Sequence, residues 1–225
     1  MNVEAKNTNT EGNMLNKKDI LRPKKVYWFF RRLQDIVLTL FALSIIWPIM
    51  AIIALIIYID DPKGSPVFTQ VRVGRNGKEF KFYKFRTMVI GAEDMLNDLM
   101  NQNEVEGPAF KIKKDPRITK VGSFLRKTGL DELMQLFNIL KGDMSLIGPR
   151  PPLPREVEQY NEYQMQRLYI TPGITCYWQI QPNRNDITFD EWVDLDIKYI
   201  KERSFITDWK IIFATIISVF RMDGE

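Results

Sequence analysis

IVLTLFALSIIWPIMAIIALIIYI, residues 36–59, carries no charged side chain and nothing more polar than Thr39 and Ser44. A run of this length can span a bilayer, and a buried core helix is the competing reading. It starts too late and lacks the small-residue cleavage site of a signal peptide. Pro48, at its middle, cannot donate a backbone N–H, so a kink or break is expected there. Basic residues crowd both ends: Arg31 and Arg32 before it, and Lys63, Arg72, Arg75, Lys78, Lys81, Lys84 and Arg86 after it. The positive-inside rule therefore claims both flanks for the cytoplasm. A segment that enters, breaks at Pro48 and returns satisfies both observations, with Ser44, one turn earlier, as local donor to freed carbonyls. A single kinked span is the alternative.

Outward from this segment the composition changes on both sides. Residues 1–16 are polar and read as a disordered tail. Residues 17–32 mix Lys17, Lys18, Arg22, Lys24, Lys25, Arg31 and Arg32 with Tyr27, Trp28, Phe29 and Phe30, which suits an anionic membrane interface. On the other side, Asn76-Gly77 between apolar arms predicts a β-hairpin. Its second arm puts Phe80, Phe82, Lys84 and Arg86 on one face; the plain alternative is a charged edge strand that discourages aggregation. Helices are expected over 92–102, 156–167, 189–201 and 209–220, the last too short to span and therefore interfacial or core.

The chemistry is expected in residues 120–154, KVGSFLRKTGLDELMQLFNILKGDMSLIGPRPPLP. Asp131 and Glu132 open an apolar run with helical spacing, Leu133, Leu136, Phe137 and Leu140, and Thr128 stands where an N-cap would. Carboxylates in a first turn sit among free N–H groups. Helix capping alone would explain such an acidic pair. Arg126 and Lys127 precede it, however, and Gly148-Pro149-Arg150-Pro151-Pro152 holds a further arginine in a stiff frame. Two acids among fixed cations suit phosphate chemistry.

Composition narrows the rest. The 225 residues include 32 Lys and Arg against 28 Asp and Glu, one cysteine (Cys176) and no histidine. Internal disulfides, Ser-His-Asp or Cys-His catalysis and ordinary zinc sites are out. The net charge of +4 suits anionic ligands or a lipid surface without calling for nucleic acid, and no basic stripe with interleaved aromatics resembles a groove reader.

Taken together the motifs resemble the bacterial sugar transferase family, the monotopic polyprenyl-phosphate phosphoglycosyl transferases of small single-domain type. The likeness rests on Lys84-Phe85-Arg86-Thr87-Met88, Asp115-Pro116-Arg117-Ile118-Thr119, Leu125-Arg126, Leu130-Asp131-Glu132-Leu133, Gln135-Leu136, Asn138, residues 141–151 and Pro172-Gly173-Ile174-Thr175, and runs from about Lys25 to Arg221. The chain departs from the usual pattern at Met134, Leu168, Cys176 and residues 181–183.

The resemblance implies an α+β, monotopic membrane protein. Its parts would be the tail (1–16), an interface segment with a re-entrant helix–break–helix (17–62), and a mostly helical cytoplasmic catalytic domain with a small β-hairpin and interfacial helices (63–225). It further implies transfer of sugar 1-phosphate from a UDP-sugar to undecaprenyl phosphate at the bacterial inner membrane, releasing UMP, as the first membrane step of exopolysaccharide, capsule or glycan assembly. Asp131 would be the nucleophile, with Glu132 its acidic partner and both as ligands of Mg²⁺. Lys84, Arg86, Arg117, Arg126, Arg150 and Arg184 would bind phosphates and nucleotide. A homo-oligomer is left open. A membrane-anchored scaffold that keeps the fold without turnover is the alternative. Aspartate is ionised at neutral pH and needs no general base, so a chain without histidine can run this reaction.

Overall fold

The computed structural model describes residues 15, 17, 25–103, 108, 110, 112, 115–181 and 187–220. All of the expected tail except Leu15 lies outside the described residues. The first element, α1 (Lys25–Asp60), is a 36-residue helix, long and apolar enough to cross a membrane by length and composition. It runs unbroken through Pro48, which corrects the helix–break–helix expectation. The proline forfeits one backbone bond, to the carbonyl of Ser44 four residues back, and the remaining ladder keeps the helix intact. Ser44 does not cover that loss, because its hydroxyl donates to the Phe41 carbonyl at 2.8 Å.

One face of α1 is buried in two stretches, Tyr27, Arg31, Asp35 and Thr39 before Pro48 and Met50, Ile53 and Ile57 after it, and is at most half-buried between them. Steps of three or four within each stretch, and of eleven (about three turns) between them, keep these side chains on one stripe. The opposite face, including Phe29, Phe41, Ile45, Trp47, Ile52, Leu55 and Ile59, is exposed.

After α1 comes a hairpin of β1 (Val67–Val73) and β2 (Glu79–Phe85), in antiparallel register with Phe68 opposite Lys84, Gln70 opposite Phe82 and Arg72 opposite Phe80. Asn76 and Gly77 take positive φ in the turn, as the dipeptide predicts. The helix expected over 92–102 is shorter: α2 (Leu96–Leu99) followed by a 3₁₀ turn. Then α3 (Lys120–Thr128) starts at Thr119, whose hydroxyl accepts from Gly122 N at 2.9 Å. Gly129, at φ 70°, ends it, a left-handed position that glycine occupies without Cβ strain. Thr128 is thus the last residue of α3 and not an N-cap; its hydroxyl donates back to the Phe124 and Leu125 carbonyls. A 3₁₀ turn, Leu130–Met134, leads into α4 (Gln135–Lys141).

The chain closes with β3 (Ser145–Ile147), α5 (Pro154–Val157), α6 (Glu162–Met165), β4 (Gly173–Thr175) parallel to β3, α7 (Phe189–Glu202) and α8 (Phe205–Phe220). The helix expected over 156–167 is thus two short pieces, whereas α7 and α8 match the helical periodicity. Thr188 and Glu191 form a capping box at the start of α7, and Val193, Ile197, Tyr199, Ile200 and Ile211 bring α7 and α8 into one core. The α+β class stands.

Two anchors hold α1 against this body. Near its start, Tyr27 donates to Asp208 Oδ2 at 2.7 Å, and Arg31 donates to Ser145 Oγ and the Ile147 carbonyl. Asp35 accepts from Leu146 N at 3.0 Å. Near its end, Met50, Ile53 and Ile57 pack against Phe85 and Leu125.

Candidate active site

Three neighbouring pieces of backbone build the site. Asn138, fully buried on α4, accepts from Tyr83 N at 3.1 Å and donates to the Lys81 carbonyl at 2.6 Å. It thereby hydrogen-bonds to the edge of β2 that does not pair with β1. Behind β2, α3 comes so close that a Cβ on Gly122 would lie 2.0 Å from the Thr87 carbonyl oxygen, so only glycine fits there. The 3₁₀ turn after Gly129 then faces the side chain of Lys84.

At the centre Lys84 Nζ lies 2.9 Å from Glu132 Oε1 and 3.3 Å from Asp131 Oδ2. The Asp131 side chain is 7% exposed and that of Glu132 33%, so one acid is enclosed and the other faces the opening. Burial raises the Asp131 carboxyl above the ordinary aspartate range; the Lys84 charge opposes that rise, Glu132 adds to it, and Arg126 opposes it. Burial works against the Lys84 ammonium, but Asp131 and Glu132 outweigh it and hold the ammonium more firmly protonated than an ordinary lysine. Arg126 is fixed through Nε to Thr87 Oγ1 at 3.0 Å.

Arg150 stands half-buried over the Trp192 ring, 6.0 Å from its centroid, without a carboxylate partner among the described residues. Lys84, Arg126, Asp131 and Glu132 are therefore brought together as the sequence predicts, with Arg150 on an adjoining loop. Two expected phosphate ligands are engaged elsewhere. Arg86 lies beyond the end of β2 and binds the end of α1, pairing with Asp61 Oδ2 at 3.0 Å and donating to the Asp61 carbonyl at 2.5 Å. A helix C-terminus offers unpaired carbonyls, which attract a guanidinium. Arg117 is buried in a two-pronged pair with Asp115, at 2.6 and 2.9 Å, and also donates to the Ala92 carbonyl. Burial alone would raise the Asp115 carboxyl, but the Arg117 hydrogen bonds bring it below its usual range. Arg184 lies outside the described residues.

Arg72 was missed. It is buried, donates to Gln70 Oε1 and the Pro151 carbonyl at 3.1 Å each, and stacks 5.3 Å from the Phe82 ring centroid, the ring that Lys84 also approaches. Burial first, and the neighbouring Arg150 second, work against its charge. The signal was in the strand alternation: counted back from Lys84 across the Asn76-Gly77 turn, Arg72 falls on the Lys84 face. Gln135, one turn after Asp131, is likewise buried with its Nε2 unpartnered.

No group of three or more His, Cys, Asp or Glu side chains gathers among the described residues, so Asp131 and Glu132 are the carboxylates available to Mg²⁺ at this site. Magnesium commonly takes one or two carboxylates and completes its shell with waters and substrate phosphates. The donor set fits an ion that arrives with a diphosphate.

Residues 26–222 match the family model described as bacterial sugar transferase. The chain is similar to the galactosyl transferase CpsE of Streptococcus agalactiae serotype III (strain NEM316), 53% identical over 153 residues, 68% of this chain and 34% of that protein. It is 42% identical over 200 residues to the undecaprenyl-phosphate galactose phosphotransferase of Salmonella typhimurium, covering 87% of this chain and 41% of the relative. It is 39% identical over 197 residues to the UDP-glucose:undecaprenyl-phosphate glucose-1-phosphate transferase of Escherichia coli (strain K12), covering 84% and 40%. The chain spans about two-fifths or less of the length of these curated relatives.

Proposed function

The chain belongs to the bacterial sugar transferase family, and from that premise we propose that it moves a sugar 1-phosphate from a UDP-sugar to undecaprenyl phosphate and releases UMP. The observation that carries this reading is the enclosed Asp131 carboxylate, held by Lys84 and flanked by Arg126, with no histidine required. An Asp131 oxygen attacks the phosphorus that bears the sugar. The bond from that phosphorus to the bridging oxygen breaks, and UMP leaves with the electron pair. An oxygen of the lipid phosphate then attacks the same phosphorus and releases the Asp131 carboxylate. Both nucleophiles are already anions, so the difficulty is charge repulsion, which positioned cations reduce.

Lys84 orients the nucleophile and limits its rise in pKa, and Arg126 acts on it from the α3 side. Arg150 and Arg72 lie where donor phosphates would extend. Glu132, with Asp131, would hold Mg²⁺, which when bound supplies further neutralisation of the diphosphate. The names of the relatives support undecaprenyl phosphate as acceptor and a UDP-sugar as donor, and they differ in the sugar.

The same reading seats the protein on one side of the bacterial inner membrane, the cytoplasmic side where UDP-sugars are available. Its support is the single buried stripe of α1: Asp35 near one end and Ile57 near the other touch the same body, leaving the opposite apolar face for lipid. Asp131→Asn tests the chemistry. UMP release should fall by about 10⁴-fold or more, as removal of a catalytic nucleophile does elsewhere. Wild-type protein given the cognate UDP-sugar alone should gain the mass of one sugar phosphate on Asp131. Ternary-complex kinetics without any adduct would favour direct transfer.

A further inference from the structure

A groove of about 270 Å³ opens beside the catalytic acids. Lys127 and Glu132 supply its charged lining, Gln179 and Ser218 are among its neutral polar residues, and Ala42 and Ile46 of α1 with Leu133, Leu136 and Ile174 form much of its apolar wall. None of the residues that line it is Arg72, Arg150 or Lys84, so it is separate from the cations assigned to the donor. Its α1 and α8 walls adjoin the outward apolar faces of those helices: Phe41 and Ile45 lie next to Ala42 and Ile46, and Ile216 and Ile217 follow Thr215, all four exposed. The cavity is smaller than the roughly 300–1,000 Å³ of ordinary ligand pockets, so it encloses one end of a long molecule and leaves the remainder on the exposed faces. A molecule that is apolar along the walls and anionic beside Lys127 suits this lining.

Resting on the transferase reading, we infer that this groove seats the phosphate-proximal isoprene units of the lipid acceptor. The chain enters between α1 and α8, and its phosphate extends past Glu132 to the position that UMP vacates, in line with the bond to Asp131. Burial of apolar chain against Ile46, Leu136 and Ile174 supplies affinity in proportion to area, and Lys127 selects a charged head. The isoprene units thereby lie apart from the donor cations, while the leaving UMP and the incoming lipid phosphate use the same position in turn.

The test is photolabelling of the full chain in nanodiscs with a polyprenyl phosphate that carries a diazirine near its phosphate end. Adducts are expected on peptides containing Ala42 to Ile46, Ile174 and Thr215. Undecaprenyl phosphate should suppress them, and an equal amount of phosphatidylglycerol should not. Filling the groove with Ile174→Trp, or more gently with Ala42→Leu, should lower labelling about tenfold in variants that melt like wild type. Adducts spread over the outer faces of α1 and α8, equal suppression by phosphatidylglycerol, or undiminished labelling in folded variants would each overturn the groove assignment. Groove labelling in a protein that releases no UMP would instead sink the transferase reading alone.

Discussion

Asp131 is an enclosed carboxylate whose charge depends on its neighbours. The proposed reaction requires it ionised, and burial raises its pKa above the ordinary aspartate value. Activity should therefore fall with decreasing pH sooner than a solvent-exposed aspartate would require. Because Arg126 opposes the rise, Arg126→Gln should move the acidic limb of kcat/KM to higher pH, and a pH–rate profile on both proteins checks it; an unmoved limb would count against Asp131 as the titrating group. The stability sign is opposite to that of an ordinary salt-bridged aspartate: a raised folded-state pKa favours folding while the group is protonated, and that contribution disappears as pH climbs through the raised value. Arg72 makes a second expectation. Loss of a charge-assisted bond to phosphate is worth about 1.5–3 kcal/mol, so Arg72→Gln should raise KM for the UDP-sugar roughly ten- to a hundredfold. The acceptor KM should stay put, and Arg72→Lys should recover part of the effect. Equal changes in both KM values, together with a lower melting temperature, would assign Arg72 to loop packing alone.

Among the elements, the contact between α4 and β2 decides whether the site exists. Asn138 bridges them through both ends of its amide, at full burial. Asn138→Leu keeps the volume but strips partners from a backbone N–H and a carbonyl, each costing about 1–3 kcal/mol when buried. Chemical denaturation should show a loss of about 2–4 kcal/mol, and Lys84 should lose its register with Asp131, so activity should drop even where the fold survives. A change below half a kcal/mol would mean that α4 holds β2 by other contacts. The elements also differ in how plainly they could be read. The hairpin, α7 and α8 carry local signals: Asn76-Gly77, the Thr188–Glu191 capping box and helical apolar spacing. Residues 156–167 carry helical charge patterning too, yet form two short helices, the second started by a capping box between Asn161 and Gln164.

At the scale of the whole molecule, α1 and α8 present apolar faces side by side, Phe29, Phe41 and Ile45 on one and Phe213, Ile216 and Ile217 on the other. A one-sided seat on the membrane follows from the proposal, and cysteines can test it. Lys25→Cys and Lys63→Cys, both at exposed positions, in a Cys176→Ala background, should be labelled from the same side of sealed inverted vesicles. Labelling from opposite sides would make α1 a true span. Features that depend on local pattern were legible before any fold was known: an uncharged run too long for an ordinary strand, the hairpin, and the adjacency of Asp131 and Glu132 among basic residues. Tertiary structure decided the rest. Pro48 leaves α1 unbroken because it removes one bond of the ladder while buried side chains hold the helix on both sides of it, Tyr27 to Thr39 and Met50 to Ile57. Arg86 and Arg117 are engaged by a helix end and by Asp115, and strand register puts Arg72 on the face of Lys84. Charge can be read from residue type, but its partner depends on which segments distant in sequence are brought within hydrogen-bond reach.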